Sequence, residues 1–477
     1  MARRLDLVIP SVLTLCSGLW GIQRQGSLWM DEAVTYDMAH RPLPVLWATL
    51  GHTDAVHGLY YLLVHGVFVL WEGGVVALRL PSVIAMACTA AGVAAIGRRL
   101  AGPRCGLVAG AVFALLPPVQ RYAQEGRSYA LVTALVVAAT WVFLQACARP
   151  RSATWAAYAA LTLLSILLHE FAVLALVAHG VTLLVAPVPR MVARAWIAAS
   201  CCSVALATPL VLLSMRQSQQ VAWIEVSVTG DATGFVLLAV VGLACATLVT
   251  WFNTHKHLMR SASLGLPSLA LPLLVVPPAM LLLVSAVKPL YVDRYVLYAQ
   301  TGLALLTGAA VDVLWRVPRR RRGVFLVAVA VAVLAVEVPV ATHLRSSASR
   351  VDDVTAISRA VAQVASPGDG VLFLPGSRRV WLLQRTPESL GLIDLSLAAS
   401  PRTSRTLYGT EASPAVIRHR MLRVSRVVVL RDPVREGAES TAGERTKPRV
   451  LEQWFATCSS RELRTARIEV HARDGKC

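Results

Sequence analysis

Residues 57–71 read HGLYYLLVHGVFVLW, an apolar run of 15 residues, and its reading decides the topology of everything that follows. A helix needs roughly 20 apolar residues to cross a bilayer core. Counted as a crossing, the run inverts every later loop relative to the N-terminus. Left out, it puts the loops at 98–104, 149–151, 190–194, 253–262 and 316–322 on the same side as Arg3 and Arg4. That side then gathers Arg98, Arg99, Arg104, Arg149, Arg151, Arg190, Arg194, Lys256, Arg260, Arg316, Arg319, Arg320, Arg321 and Arg322. The positive-inside rule makes it the cytoplasmic side. Residues 25–78 become one long outer loop, with 57–71 as a juxtamembrane or re-entrant helix.

Working outward, apolar stretches recur at 6–24, 79–97, 105–120, 128–147, 153–168, 171–189, 195–214, 233–252, 267–287, 295–315 and 323–343. They predict a mainly α, polytopic membrane protein of about 11 transmembrane helices. The N-terminal Ala2-Arg3-Arg4 and the run behind it resemble a signal peptide, but no small-residue cleavage site follows cleanly, so it is read as the first span. Composition agrees: 56% of the 477 residues are hydrophobic and 15% charged, against about 25% charged in soluble domains. The formal charge of +19 suggests nucleic acid at first sight. Long uncharged runs separate the basic residues, so no nucleic-acid partner is expected, and the excess reads mostly as an orientation signal.

After residue 343 the pattern changes. Residues 344–477 hold 22 Lys+Arg and 14 Asp+Glu and predict a small soluble α/β domain on the outer side. A helix near 352–364, the turn Pro367-Gly368-Asp369-Gly370, and strands at Val371–Leu374 and Val427–Leu430 are its clearest elements. The domain division is 1–343 and 344–477. Cys458 and Cys477 are its two cysteines and can pair only in an oxidising compartment; pairing is left open.

Ionisable residues gather at the outer membrane face. Asp31, Glu32, Asp37, Asp54, Glu72, Glu125, Glu170, Glu225, Asp231 and Asp293 fall on or near it, with Arg121, Arg127, Arg216, Lys288 and Arg294 beside them. Such a gathering marks a site as well as a wet surface. In Trp29-Met30-Asp31-Glu32-Ala33, Asp31 reads either as the N-cap of a helix over 32–39 or as a general base at the membrane surface. In Thr53-Asp54-Ala55-Val56-His57-Gly58-Leu59-Tyr60-Tyr61, His57 and the tyrosines are either an interfacial belt or part of a site with Asp54. The charged stretch Gln120–Tyr129 follows Pro117-Pro118, which ends the third span. Lys288-Pro289-Leu290-Tyr291-Val292-Asp293-Arg294-Tyr295 is either a tight turn or a phosphate site, with Arg294 offering a bidentate fork. His169-Glu170 reads as wall lining. His52, His57 and His65 match no zinc spacing. No Walker loop, GxSxG elbow or HExxH motif occurs.

The acidic pair after the first span, His57-Gly58-Leu59-Tyr60-Tyr61, Leu78-Arg79-Leu80-Pro81-Ser82, Gly97-Arg98-Arg99-Leu100, Gln124–Leu131 and Asp293-Arg294-Tyr295 together resemble the GT-C superfamily of integral-membrane glycosyltransferases. Within it they resemble the protein O-mannosyltransferase and lipid A aminoarabinose transferase branch. The resemblance covers roughly residues 1–300, and nothing in the C-terminal part carries it. It implies a polyprenyl-phosphate sugar donor, a mannosyltransferase-like activity, and Asp31 as the catalytic base or acceptor-orienting group, with Glu32 adjacent. Glu125-Gly126-Arg127-Ser128-Tyr129 is close to the family's Glu-Ala-Arg-x-Tyr. The family's His-Pro-Pro-Leu-Tyr-Tyr is here without either proline, which leaves the approach to the juxtamembrane helix less rigid.

The expected reaction is attack of an acceptor hydroxyl on the anomeric carbon with inversion. The lipid phosphate leaves toward Arg127 and Arg294, helped by Lys288 or Tyr295. Asp54, His57, Tyr60 and Glu125 complete the expected substrate contacts. No cofactor is required on this reading; a divalent metal among Asp31, Glu32, Asp54 and Glu125 remains an alternative. The expected partners are the lipid-linked sugar, membrane lipid, and an acceptor glycan, lipid or protein. The expected location is the plasma membrane, multi-pass, with a cytoplasmic N-terminus. A transporter or lipid flippase would use the same charges as a path, but the sequence shows no internal repeat.

Overall fold

The computed structural model describes residues 5–186, 188–217, 228–255, 264–316, 322–433, 441–473, 475 and 477. Arg3, Arg4, Glu225, Lys256, Arg260, Arg319, Arg320 and Arg321 lie outside these, as do the side chains of Asp231 and Arg322. The chain divides into two compact units. The first comprises the described residues up to Ile22, Asp54–Tyr60 and Val76–Leu344; the second comprises Gln23–Thr53, Tyr61–Val75 and Arg345–Cys477.

Every apolar stretch of the sequence becomes a helix. The helices are Leu5–Leu19, Gly74–Ala101, Pro103–Leu115, Tyr129–Ala148, Ser152–Leu168, Val173–Val185, Arg190–Arg216, Val228–His255, Leu266–Ser285, Gln300–Trp315 and Arg322–Leu344. Among the described residues, eight helical segments are long and apolar enough to cross a membrane, so the chain is a multi-pass membrane protein. The expected count of 11 is not reached on length. Pro103–Leu115 and Val173–Val185 have 13 residues each and Ser152–Leu168 has 17. Thirteen residues rise only about 20 Å, short of a core about 30 Å thick. The segment 57–71 folds as expected into a short helix, Gly58–Leu70.

Without a hydrophobic force between helices in lipid, close backbone approach and polar contacts hold them. A Cβ on Gly308 would stand 2.7 Å from the Ala109 amide nitrogen, so Gln300–Trp315 can lie against Pro103–Leu115 only with glycine there. Four further helices share a buried polar cluster. The Tyr158 hydroxyl meets His179 Nδ1 at 2.9 Å, Thr140 meets His179 Nε2 at 3.0 Å, and Trp196 donates to the Tyr158 hydroxyl at 3.2 Å. Three residues past the first helix, the fully buried Arg79 donates to the Ile22 carbonyl at 2.6 Å.

The second unit carries the expected α/β fold. Its strands are β1 (Gly370–Leu374), β2 (Ile393–Asp394), β3 (Leu397–Ala399), β4 (Thr410–Glu411), β5 (Arg426–Arg431), β6 (Phe455–Glu462) and β7 (Arg467–Arg473). The main sheet runs β2-β1-β5-β7-β6. β1 is parallel to both neighbours, while β5, β7 and β6 are antiparallel. The register Val371↔Val428↔Val470 keeps β-branched residues paired across the centre. Leu372, Leu374, Val427 and Val429 pack on Ile417, Met421, Val450 and Leu451 of two helices. Cys458 on β6 forms a disulfide with Cys477.

Candidate active site

In the first unit several of the charged residues that the sequence singled out come together. The 3₁₀ turn Ala55–His57 is entered through Asp54, at φ 59°, a left-handed conformation that Asp tolerates. This brings Asp54 Oδ1 to 4.0 Å from His57 Nε2. Both are buried, as are Tyr60, Glu125 and Arg127. Leu116 is extended, as a residue before proline prefers, so the third apolar helix stops at Leu115 and Pro117-Pro118 start the short helix Pro117–Ala123. The loop behind it is pinned from inside. Ser82 Oγ donates to the Glu125 carbonyl at 2.6 Å and to that of Arg127 at 3.3 Å. A Cβ on Gly126 would fall 2.5 Å from Leu78 Cγ, which is why glycine stands between Glu125 and Arg127.

Arg294 is framed by aromatic rings. Its Nε donates to the Tyr129 hydroxyl at 3.2 Å, and its guanidinium carbon lies 5.8 Å from the Tyr129 ring and 5.7 Å from that of Tyr295. Asp293 accepts from the Arg294 amide at 2.7 Å and from the Tyr122 hydroxyl at 3.0 Å, fixing the turn that presents the arginine. His169 sits at the centre. Its ring is 4.6 Å from Tyr295, 5.6 Å from Tyr129 and 6.0 Å from His57. Burial, then the nearby His57, Arg294 and Arg127, hold its pKa well below the usual histidine range, so it is neutral at pH 7. His169 thus packs at the middle of this cluster, where the sequence suggested wall lining.

Phe171 stacks on Tyr295 at 5.4 Å and also lines a neighbouring cavity of about 430 Å³. That cavity is walled by Val204, Val211 and Met215 among others, with Glu170 and Lys288 as its charged lining. Burial raises the Glu170 carboxyl pKa, opposed by a Ser214 hydrogen bond and by Lys288.

Asp31 and Glu32 belong to the second unit. Their helix is Met30–Ala39 with Trp29 in the cap position, so Asp31 is not the N-cap that the sequence suggested. It is the second residue of the helix, and its carbonyl accepts from Thr35 Oγ1 at 3.0 Å. The helix end is capped from far along the chain: Asp352 Oδ1 accepts from the Met30 amide at 2.8 Å. The neighbouring backbone is tied in register, with Val354 N–H to Leu28 O at 2.8 Å and Thr355 Oγ1 to Gly26 O at 3.1 Å. Glu32 is fully buried against Arg24 at 2.5 Å, an ion pair that sequence inspection missed. Asp352 is 7% exposed. Its pKa is pushed up to about 6 by burial, with Asp31 and Asp353 adding and Met30 N–H and Arg378 opposing. Among the described residues, no three His, Cys, Asp or Glu side chains group in a way that could hold a metal ion.

Residues 59–215 match the family model described as dolichyl-phosphate-mannose-protein mannosyltransferase. No curated protein matches the chain. Among solved structures, ArnT from Cupriavidus metallidurans in the apo state aligns with a TM-score of 0.58 at 12% identity, covering 97% of each chain. The same protein bound to undecaprenyl phosphate aligns at 0.53 and 13% identity, again over 97% of each. The apo oligosaccharyltransferase of Archaeoglobus fulgidus aligns at 0.53 and 11% identity, over 89% of this chain and 69% of that one. These likenesses are of fold: the chain has the GT-C architecture of membrane glycosyltransferases.

Proposed function

We propose that the chain is a membrane glycosyltransferase that moves a sugar from a polyprenyl-phosphate carrier to an acceptor hydroxyl at the outer face of the plasma membrane. One observation carries the reading: a cationic, aromatic cluster and an apolar cavity meet at Phe171. The ligand such a place suits has a charged head on a long apolar tail. Arg127 and Arg294 hold the phosphate, Lys288 stands at the cavity, and the isoprenoid runs along Val204, Val211 and Met215. Neutral His169 adds a hydrogen-bonding edge without a competing charge. The match to a mannosyltransferase family model over 59–215, and a solved relative of fold bound to undecaprenyl phosphate, support the donor class and a mannose-like sugar.

The acceptor oxygen attacks the anomeric carbon as the bond from that carbon to the phosphate oxygen breaks. The displaced lipid phosphate gains negative charge, which the fixed arginines stabilise. One direct displacement inverts the anomeric centre. The base is Asp31, whose helix end is fixed by Asp352; Glu32, fixed by Arg24, serves to hold that helix. Asp54, His57, Tyr60 and Glu125 shape the sugar pocket. The Cys458–Cys477 disulfide supports placing residues 344–477 outside the cytoplasm, and the basic loops support a cytoplasmic N-terminus.

The test is transfer from a polyprenyl-phosphate mannose by the purified full chain. Asp31→Asn should lower kcat by ~10²-fold or more with donor KM little changed, and Arg294→Ala should raise donor KM. Near-normal transfer by Asp31→Asn would remove it as the base; unchanged donor dependence in Arg294→Ala would remove the phosphate role.

A further inference from the structure

The arginines of the basic loops are not alike. Arg98 pairs with Asp6 at 2.7 Å and Arg316 with Asp312 at 2.5 Å. Among the described residues, no carboxylate pairs with Arg99, Arg149 or Arg151. These three line one cavity of about 460 Å³, completed by Gln145, Ala148 and Thr154. It is formed where the helices Gly74–Ala101 and Tyr129–Ala148 end and Ser152–Leu168 begins.

The cavity is organised for an anion. Arg99 Nη2 donates to the Leu144 carbonyl at 2.9 Å, and its guanidinium carbon lies 5.3 Å from the Trp141 ring centre, so its fork is held in place. The Gln145 carbonyl, which would repel an anion, already accepts from the Arg149 amide at 2.9 Å. Thr154 stands in the first turn of a 17-residue helix, the end that carries partial positive charge. Orientation of a membrane protein needs only charge on a loop. It does not need three forks without a carboxylate partner around one hollow, with amide and hydroxyl donors between them.

We propose that this cavity binds a phosphate oxyanion, supplied by the headgroup of an anionic membrane lipid or by free phosphate. Guanidinium forks match phosphate oxygens bidentately, and a basic pocket between membrane helices is the setting in which lipid headgroups bind. The site is separate from the transfer chemistry, sharing no residue with the Arg127, Arg294 and Lys288 set.

Native mass spectrometry of the full-length chain in neutral detergent tests it. The probes are phosphatidylglycerol, phosphatidylcholine and inorganic phosphate. The variant is Arg149→Gln with Arg151→Gln; Arg99 is left in place because it also holds the Leu144 carbonyl. The control is Arg190→Gln with Arg194→Gln, which removes the same charge from the exposed first turns of the helix Arg190–Arg216, outside the cavity. Phosphatidylglycerol should bind wild type and control more tightly than phosphatidylcholine does. The cavity variant should lose about 30-fold, from about 5-fold per arginine at an anionic surface. If inorganic phosphate displaces phosphatidylglycerol from wild type, the anion site stands with the free ion as ligand; if it does not, the site stands with the lipid as ligand. Equal losses in variant and control, or a loss in neither, overturn the proposal, since the charge would then act diffusely. A circular-dichroism melt of both variants, unchanged from wild type, shows that binding and not folding was altered.

Discussion

Asp352→Asn is the most informative single substitution outside the arginine forks. The side chain is buried, caps Met30 and faces Asp31, Asp353 and Arg378. Its pKa rises from the ordinary 3.8 to about 6, a difference worth about 3 kcal/mol. The sign follows from linkage: a carboxyl raised in the folded state contributes stability that is full below pH 3.8 and is lost as pH rises through about 6. Asparagine keeps an oxygen for the Met30 amide and never ionises. The variant should therefore match wild type near pH 4 and become the more stable of the two by about 3 kcal/mol near pH 7. In a body of this size that is roughly 6–12 °C in Tm. The assay is a pair of melts at half-unit pH steps from 4 to 7.5, reading the difference between the two proteins so that all other titrations cancel. A difference that stays flat with pH, or a variant less stable at pH 7, would refute the reasoning. The first result would mean Asp352 is not held as an unfavourable ion, the second that its charge stabilises the helix end more than burial opposes it.

The remaining predictions concern buried contacts. Arg24→Ala should destabilise the second unit by about 3–5 kcal/mol, because it breaks a fully buried ion pair by removing one partner; Arg24→Ala with Glu32→Gln should recover much of that in the same denaturation assay. Gly126→Ala should cost about 1–3 kcal/mol by overpacking against Leu78 and, by shifting Arg127, should raise donor KM more than it lowers kcat. Leu78→Ala in that background should restore donor KM if the clash is the cause.

Periodicity and hydropathy made the helices readable, and all 11 apolar stretches fold as helices because nothing else satisfies their backbone in lipid. Length was less readable: Leu116 before Pro117 ends the 105–120 run at Leu115, and only Val173–Val185 of the 171–189 run is α-helix. In the C-terminal part, Pro367-Gly368-Asp369-Gly370 and the valine runs announced β1 and β5. The site was half legible. Arg127, Arg294 and Tyr295 stood out as charges or rings in short loops and His57 at the start of the juxtamembrane run, and the structure gathers them around His169. Asp31 misled, since an Asp ahead of an apolar helix looks like an N-cap while the true cap is 322 residues away. Arg24 sits in a left-handed turn at φ 44°, a conformation no sequence pattern announces, and only that turn brings its fork to Glu32.

The Met30–Asp352 hydrogen bond also sets a clock. The ribosome must add 322 residues between the two partners, which takes about 16–64 s at 5–20 residues per second. For that time the helix carrying Asp31 and Glu32 exists without its cap and without the strands that belong to the same unit. Whatever the first loop does while it waits, it does unassisted by its own domain, so a chain that stalls after its last membrane helix is inserted while the helix carrying Asp31 and Glu32 still lacks its cap.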